Sequence, residues 1–326
     1  MKIILLFILI PLLSWAQIEP GSQSLIDKLV PGGALPEKIV STRSTVLYSP
    51  NFSEKELTEI HAGLVRTGLD ATVYFETDRV FAGPDVELAF SNYFAKREIS
   101  NLVVIEKHGS FRIALLPFKP GQNTIDLSLP SWQMESSTLS ELMQLVYSNV
   151  LNTYKKQNML INDVAETDLI VNVIEGRRTE AFASDLKIDR LAVRKFGDES
   201  ADAQLEALMK NYPFKYALVD PNLSETDLRK QGYFYILQFV HTRGYAAKQL
   251  LGYEVSPSES ALASITFTDG IEKVKTIPSN TPVYKFYFRQ IEFNNVFLGT
   301  KWDADTTWHQ ALENFISGFR KEMLVN

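Results

Sequence analysis

Trp302-Asp303-Ala304-Asp305 sets two carboxylates beside an aromatic ring. Paired acids at the edge of a groove could pass protons to and from a glycosidic bond or hold a cation, and glycosidases need two carboxyl groups at a set separation. The same acids precede Thr307 and Gln310, whose spacing is that of a capping box. Negative charge there also suits the free N–H groups and positive end of a helix. A second candidate is His241-Thr242-Arg243-Gly244-Tyr245, which follows the apolar run from Tyr233 to Val240. Ligands of open α/β sheets gather beyond the carboxyl ends of strands, so His241 and Arg243 could meet an anion or a partner. Arg177-Arg178 is a third: guanidinium groups suit carboxylate or phosphate, and the pair is expected at a hairpin turn. Trp302 and Trp132 could stack on a sugar or close the junction between a sheet and the helix that follows each of them. The binding candidates are thus His241, Arg243, Trp302, Asp303, Arg177 and Arg178.

No catalytic set accompanies them. The chain has no Gly-x-Ser-x-Gly elbow, Walker-type loop or Gly-x-Gly-x-x-Gly fingerprint. Its four histidines, His61, His108, His241 and His309, have no metal-binding spacing, and cysteine is absent. No metal, cofactor or thiol chemistry is expected. The formal charge is −6. A nucleic-acid binder would carry a clustered basic face, so that class is set aside.

Lys2, the apolar stretch Ile3 to Leu13 and Ser14-Trp15-Ala16 have the layout of a secretory signal peptide cleaved before Gln17. The stretch is about half the ~20 residues that span a bilayer, so no transmembrane segment is expected after removal of the leader. Losing Lys2 moves the charge from −6 to −7. A cysteine-free exported chain must rely on ordinary apolar cores, with 20 Phe and 13 Tyr to fill them. The expected location is periplasmic or extracellular, in a bacterium.

The elements that would position the candidates follow from local signals. Tyr48-Ser49-Pro50-Asn51-Phe52-Ser53-Glu54 and Val219-Asp220-Pro221-Asn222-Leu223-Ser224-Glu225 repeat a strand–turn–capped-helix pattern, with the prolines 171 residues apart. Gly83 with Gly244, Gly109 with Gly270, and Trp132 with Trp302 extend the match. We therefore expect an α/β fold of mixed sheets, made by tandem duplication of two related βαβαβββα domains. The divisions are a signal peptide at 1–16, a Pro/Gly-rich arm at 17–40, a first domain at 41–158, a structured connector at 159–210 and a second domain at 211–326. Further strands are expected where Ile125, Leu127 and Leu129 alternate, and from Leu169 to Ile174. Asp269-Gly270 marks a hairpin.

The element order β-α-β-α-β-β-β-α resembles the small mixed α/β modules of bacterial envelope assembly proteins, such as the N-terminal domain of the Tol-system propeller protein and the curli-secretion channel family. That resemblance carries over no functional residue. The reading is an exported, non-enzymatic binding or scaffold module whose partner is an envelope protein or glycan. The alternatives are an envelope hydrolase using acids near Trp302, or a small-ligand binding protein with a site between the domains.

Overall fold

The computed structural model describes residues 24–121, 124–151, 160–167, 169–256, 258–268 and 270–324. The expected leader lies outside the described residues, as do residues 17–23 of the arm. The rest of the arm is held firmly: Ser24 caps a single turn, α1 (Leu25–Lys28), which buries Leu25 and Ile26. The buried carboxylate of Glu106 accepts the N–H of Leu25 at 2.6 Å.

Strand β1 (Arg43–Tyr48) runs through the Pro50-Asn51 turn into α2 (Glu54–Thr67). Ser53 and Glu56 form the capping box there, and Gly68 stops the helix in the left-handed conformation. Next come β2 (Asp70–Glu76), the turn α3 (Thr77–Val80), α4 (Pro84–Lys96) and β3 (Ile99–His108). Gly109 turns β3 tightly into β4 (Ser110–Pro117), because its φ of 75° is open to glycine without strain. The alternating residues Ile125, Leu127 and Leu129 make no strand. Asp126 accepts the N–H and hydroxyl of Ser128, a local turn that competes with a ladder. The fifth strand is β5 (Trp132–Ser136), followed by α5 (Leu139–Leu151).

Residues 169–174 join no sheet ladder either, although Leu169, Val171, Val173 and Ile174 pack on the core. Arg178 is not at a hairpin turn. It begins the short β6 (Arg178–Thr179), which pairs in parallel with a strand more than 100 residues later. A 3-10 turn (Ser184–Lys187) leads to β7 (Arg190–Arg194), α6 (Glu199–Met209), β8 (Tyr216–Val219) and α7 (Glu225–Lys230). Then come β9 (Tyr233–Arg243), α8 (Gly244–Leu250), the hairpin β10 (Ala261–Thr268) and β11 (Ile271–Pro278), β12 (Pro282–Gln290), β13 (Val296–Phe297) and α9 (Trp308–Leu324).

The fold is thus mixed α/β. One sheet has the order β2-β1-β3-β4-β5, the other β6-β13-β12-β9-β7-β8, and β10-β11 stands apart. In the first, β1 is parallel to β2 and β3, while β4 and β5 run antiparallel in turn. In the second, β7 is parallel to β8 and β9, while β12 and β13 run antiparallel in turn. Strand order and direction therefore coincide when β7 is laid on β1. The repeated sequence motif does not fall on matching elements: Tyr48 ends β1, an inner strand, whereas Val219 ends β8, an edge. Gly109 and Gly270 also differ in place, since Gly270 belongs to the hairpin inserted between α8 and β12.

Helix α4 lies between the two sheets. Val86, Phe90 and Phe94 join a core that also holds Val104 from the first sheet and Val240, Val283 and Tyr287 from the second. A separate core fills the space under α2 and α5, and another lies under α6 and α9.

Candidate functional site

A β1-α2-β2 unit winds to one side of β1, and the return through α4 places β3 on the other side. This reversal opens a crevice at the carboxyl ends of β1 and β3, the usual ligand position in such sheets. In the first sheet that crevice is closed by its own residues. The Ser49 N–H donates to the Ile105 carbonyl at 3.1 Å, and Asn51 Nδ2 donates to the Lys107 carbonyl at 2.8 Å. In the second sheet an open cleft of about 110 Å³ lies at the carboxyl end of β7, beside the middle of β9 at Leu237 to Phe239.

Val193, Leu205, Leu237, Phe239 and Phe286 give the cleft apolar walls, and the first turn of α4 brings Pro84, Asp85 and Leu88 to its rim. Gly83 allows this approach. A Cβ there would stand 2.5 Å from the carbonyl oxygen of Phe239, and the glycine φ is 146°.

The polar groups fall into two sets. Asp85 accepts from Gln238 Nε2 at 2.8 Å, Tyr287 Oη at 2.9 Å and Arg289 Nε at 2.9 Å. Arg289 also donates to both oxygens of Glu225 and to Asn294 Oδ1. Burial works against the charge of Arg289, but Asp85 and Glu225 outweigh it and hold the guanidinium above its ordinary value. Burial and the Asp85 charge together push the Tyr287 hydroxyl up. This network is internally satisfied. Arg194 is not: its Nη1 donates to the Pro221 carbonyl, and no carboxylate forms an ion pair with it among the described residues. Burial pulls Arg194 below its ordinary value, and the attraction of Glu225, Asp85 and Asp220 only partly restores it. Lys195 stands next to it, exposed. The lining residues carry two carboxylates, Asp85 and Glu225, and two cations, Arg194 and Lys195, so the formal charge of the cleft balances.

The sequence candidates lie elsewhere, in two groups. His241 and Arg243 sit where the halves meet. His241 is buried, stacks on Tyr284 with ring centres 3.6 Å apart, and is pulled down to about 3 by burial, so its imidazole is neutral at pH 7. Arg243 Nε meets Asp78 at 2.6 Å, and its Nη2 meets Glu76. Burial opposes that charge, but Asp78 and Glu76 hold the guanidinium up. Trp302, Asp303 and Arg178 form the second group. The Arg178 guanidinium lies 4.6 Å from the Tyr253 ring centre, and Tyr253 meets Trp302 edge-on at 5.1 Å. Asp303 is buried against Lys285 Nζ at 2.6 Å, and Asp305 is buried against Lys275 Nζ at 2.7 Å. Burial pushes the Asp303 carboxyl up while Lys285 pulls it back. Arg177 is exposed, and its backbone N–H donates to Asn295 Oδ1 at 2.8 Å.

Sequence reasoning passed over Asp85, Arg194, Gln238 and Arg289. Two of them had a visible signal: Gln238 and Arg289 are polar residues inside otherwise apolar strands, where a buried polar group needs partners. No group of three or more His, Cys, Asp or Glu suited to a metal occurs among the described residues. No helix among them is long and apolar enough to cross a membrane. The sequence matches no protein-family model and no curated protein.

Proposed function

We propose that this chain is an exported, non-enzymatic binding protein whose ligand site is the cleft at the end of β7, beside the middle of β9 and roofed by α4. The observation that carries this reading is the cleft itself: apolar walls at a sheet's switch point, between the two halves, with one guanidinium unmatched by a carboxylate. Apolar pockets with a few placed polar groups are the general form of small-molecule sites. The hydrolase alternative is the weaker reading, because Asp303 is buried against the buried Lys285 and Asp305 already meets the part-exposed Lys275. The leader-like residues 1–16 support export, to the periplasm or beyond it. The matching strand order of the two sheets supports descent from one duplicated unit, with β7 corresponding to β1 and the β10-β11 hairpin added later.

The test is native mass spectrometry of the mature chain, Gln17 onward, purified from its own source. A small molecule released on denaturation is expected. Leu88 sits at the rim, 36% exposed, so Leu88→Trp should cover the mouth without disturbing the core and abolish retention. A chain that carries no small molecule, and gains no thermal stability from a metabolite extract, would overturn the reading.

A macromolecular partner, an envelope protein or glycan, is a second reading with its own observation. Leu160, Val164 and Ile170 lie within eleven residues and are 89%, 68% and 84% exposed. Apolar side chains left in water close together along the chain are material for a contact surface.

A further inference from the structure

We propose that the cleft takes a short aliphatic carboxylate, with the acid group on Arg194 and the hydrocarbon against Leu205, Leu237 and Phe286. This rests on the reading of the cleft as a ligand site and adds the chemistry of the ligand. Three observations carry it. Asp85 and Glu225 spend their hydrogen bonds on Arg289 and, like Asp220, act on Arg194 only through space, so no carboxylate oxygen occupies its donors. The only acceptor on the Arg194 guanidinium among the described hydrogen bonds is a carbonyl, that of Pro221, which leaves most of its five donors for an incoming group. A guanidinium presents paired donors that match a carboxylate, and such charge-assisted bonds are about twice as strong as neutral ones. Lys195 at the rim adds long-range attraction for an anion.

The hydrocarbon is limited by space. The cleft measures about 110 Å³. An enclosed apolar cavity of about 150 Å³ takes benzene, so the space inside this cleft suits a branched chain of roughly four or five carbons, and a longer chain would project from its open mouth.

The experiment uses the mature chain with labelled leucine methyls and three probes: 4-methylpentanoate, its neutral amide and acetyl-glycyl-leucine. Methyl shifts at Leu205 and Leu237 read even weak binding. The carboxylate should bind at least tenfold tighter than the amide, which follows from a charged hydrogen bond contributing about 1.5–3 kcal/mol. Arg194→Gln should remove that preference and leave amide binding unchanged, so the amide also reports that the variant is folded. Arg194→Lys should keep part of the preference, since charge remains but the paired donors are lost. Equal affinity for acid and amide would overturn the carboxylate assignment and leave the cleft as a site. Absence of shifts with all three probes would overturn both. Binding of the peptide alone would overturn the free acid in favour of a protein C-terminus.

Discussion

At the scale of single residues, the chain buries charge in pairs and places polar groups inside apolar strands. Lys285 is fully buried between Asp303 and the carbonyl of Leu298, at 2.6 and 2.7 Å, with its ammonium 5.0 Å from the ring centre of Phe315. Neither member of such a pair is tolerated alone, because the remaining charge would sit without water or partner. Lys285→Met should therefore cost about 3–5 kcal/mol, while Lys285→Met with Asp303→Leu should recover most of that loss. Urea denaturation of the single and double variants reads the difference. Equal destabilisation by both would mean that the pair owes its role to packing and not to charge. The same logic explains why the two acids beside Trp302 looked chemical in the sequence: the residue types were right, and only the distant lysines show that their charge is already balanced.

At the scale of elements, local devices were legible and distant ones were not. The Ser53 cap, the Gly68 stop, the Gly109 turn and the Pro84 helix start all act within a few residues, so the sequence exposed them. Strand β7 has only Leu191, Ala192 and Val193 between two arginines, too short a pattern to separate from a connector. The cleft was illegible for a related reason. Its polar groups sit at positions 85, 194, 225, 238 and 289, and no spacing links them before the sheet is wound. Helix α4, which brings the first of these, also carries a titrating group. Glu87 accepts the N–H of Thr124 at 2.8 Å, and burial pushes its carboxyl up to about 7, against that hydrogen bond. A raised carboxyl favours the folded state while protonated. Its stabilisation is fully present below pH 4.5 and is lost as pH rises through about 7. Glu87→Gln keeps an acceptor for Thr124 and removes the titration. The variant should match the parent near pH 4.5 and exceed it by up to about 2 kcal/mol at pH 8. Urea midpoints at the two pH values measure this, and an equal offset at both would remove Glu87 from the account.

At the scale of the whole molecule, the question is whether two similar sheets behave as two units or one. Similar halves joined by a connector would be expected to move and unfold separately when their contact is small and polar. Here the contact joins an apolar core to a buried polar seam. One apolar core includes residues of both sheets, and α4 is a layer common to them. The N–H of His241 donates to the Ala82 carbonyl at 2.6 Å, Thr242 donates to Asp78 at 3.1 Å, and Arg243 closes the seam on Asp78 and Glu76. Opening the halves would expose that core and strand Arg243 and its acids. The chain should therefore unfold as one cooperative body. Hydrogen exchange should give the slowest amides of β1 and β3 the same opening free energy as those of β9 and β12. Arg243→Ala leaves two carboxylates at the seam without their cation, and should lower both values together by about 3–5 kcal/mol. A loss confined to β9 and β12 would mean that the halves open independently. A ligand held in the cleft between α4 and β9 would then have to be gripped by two moving parts, whereas a single body presents it with a site already formed.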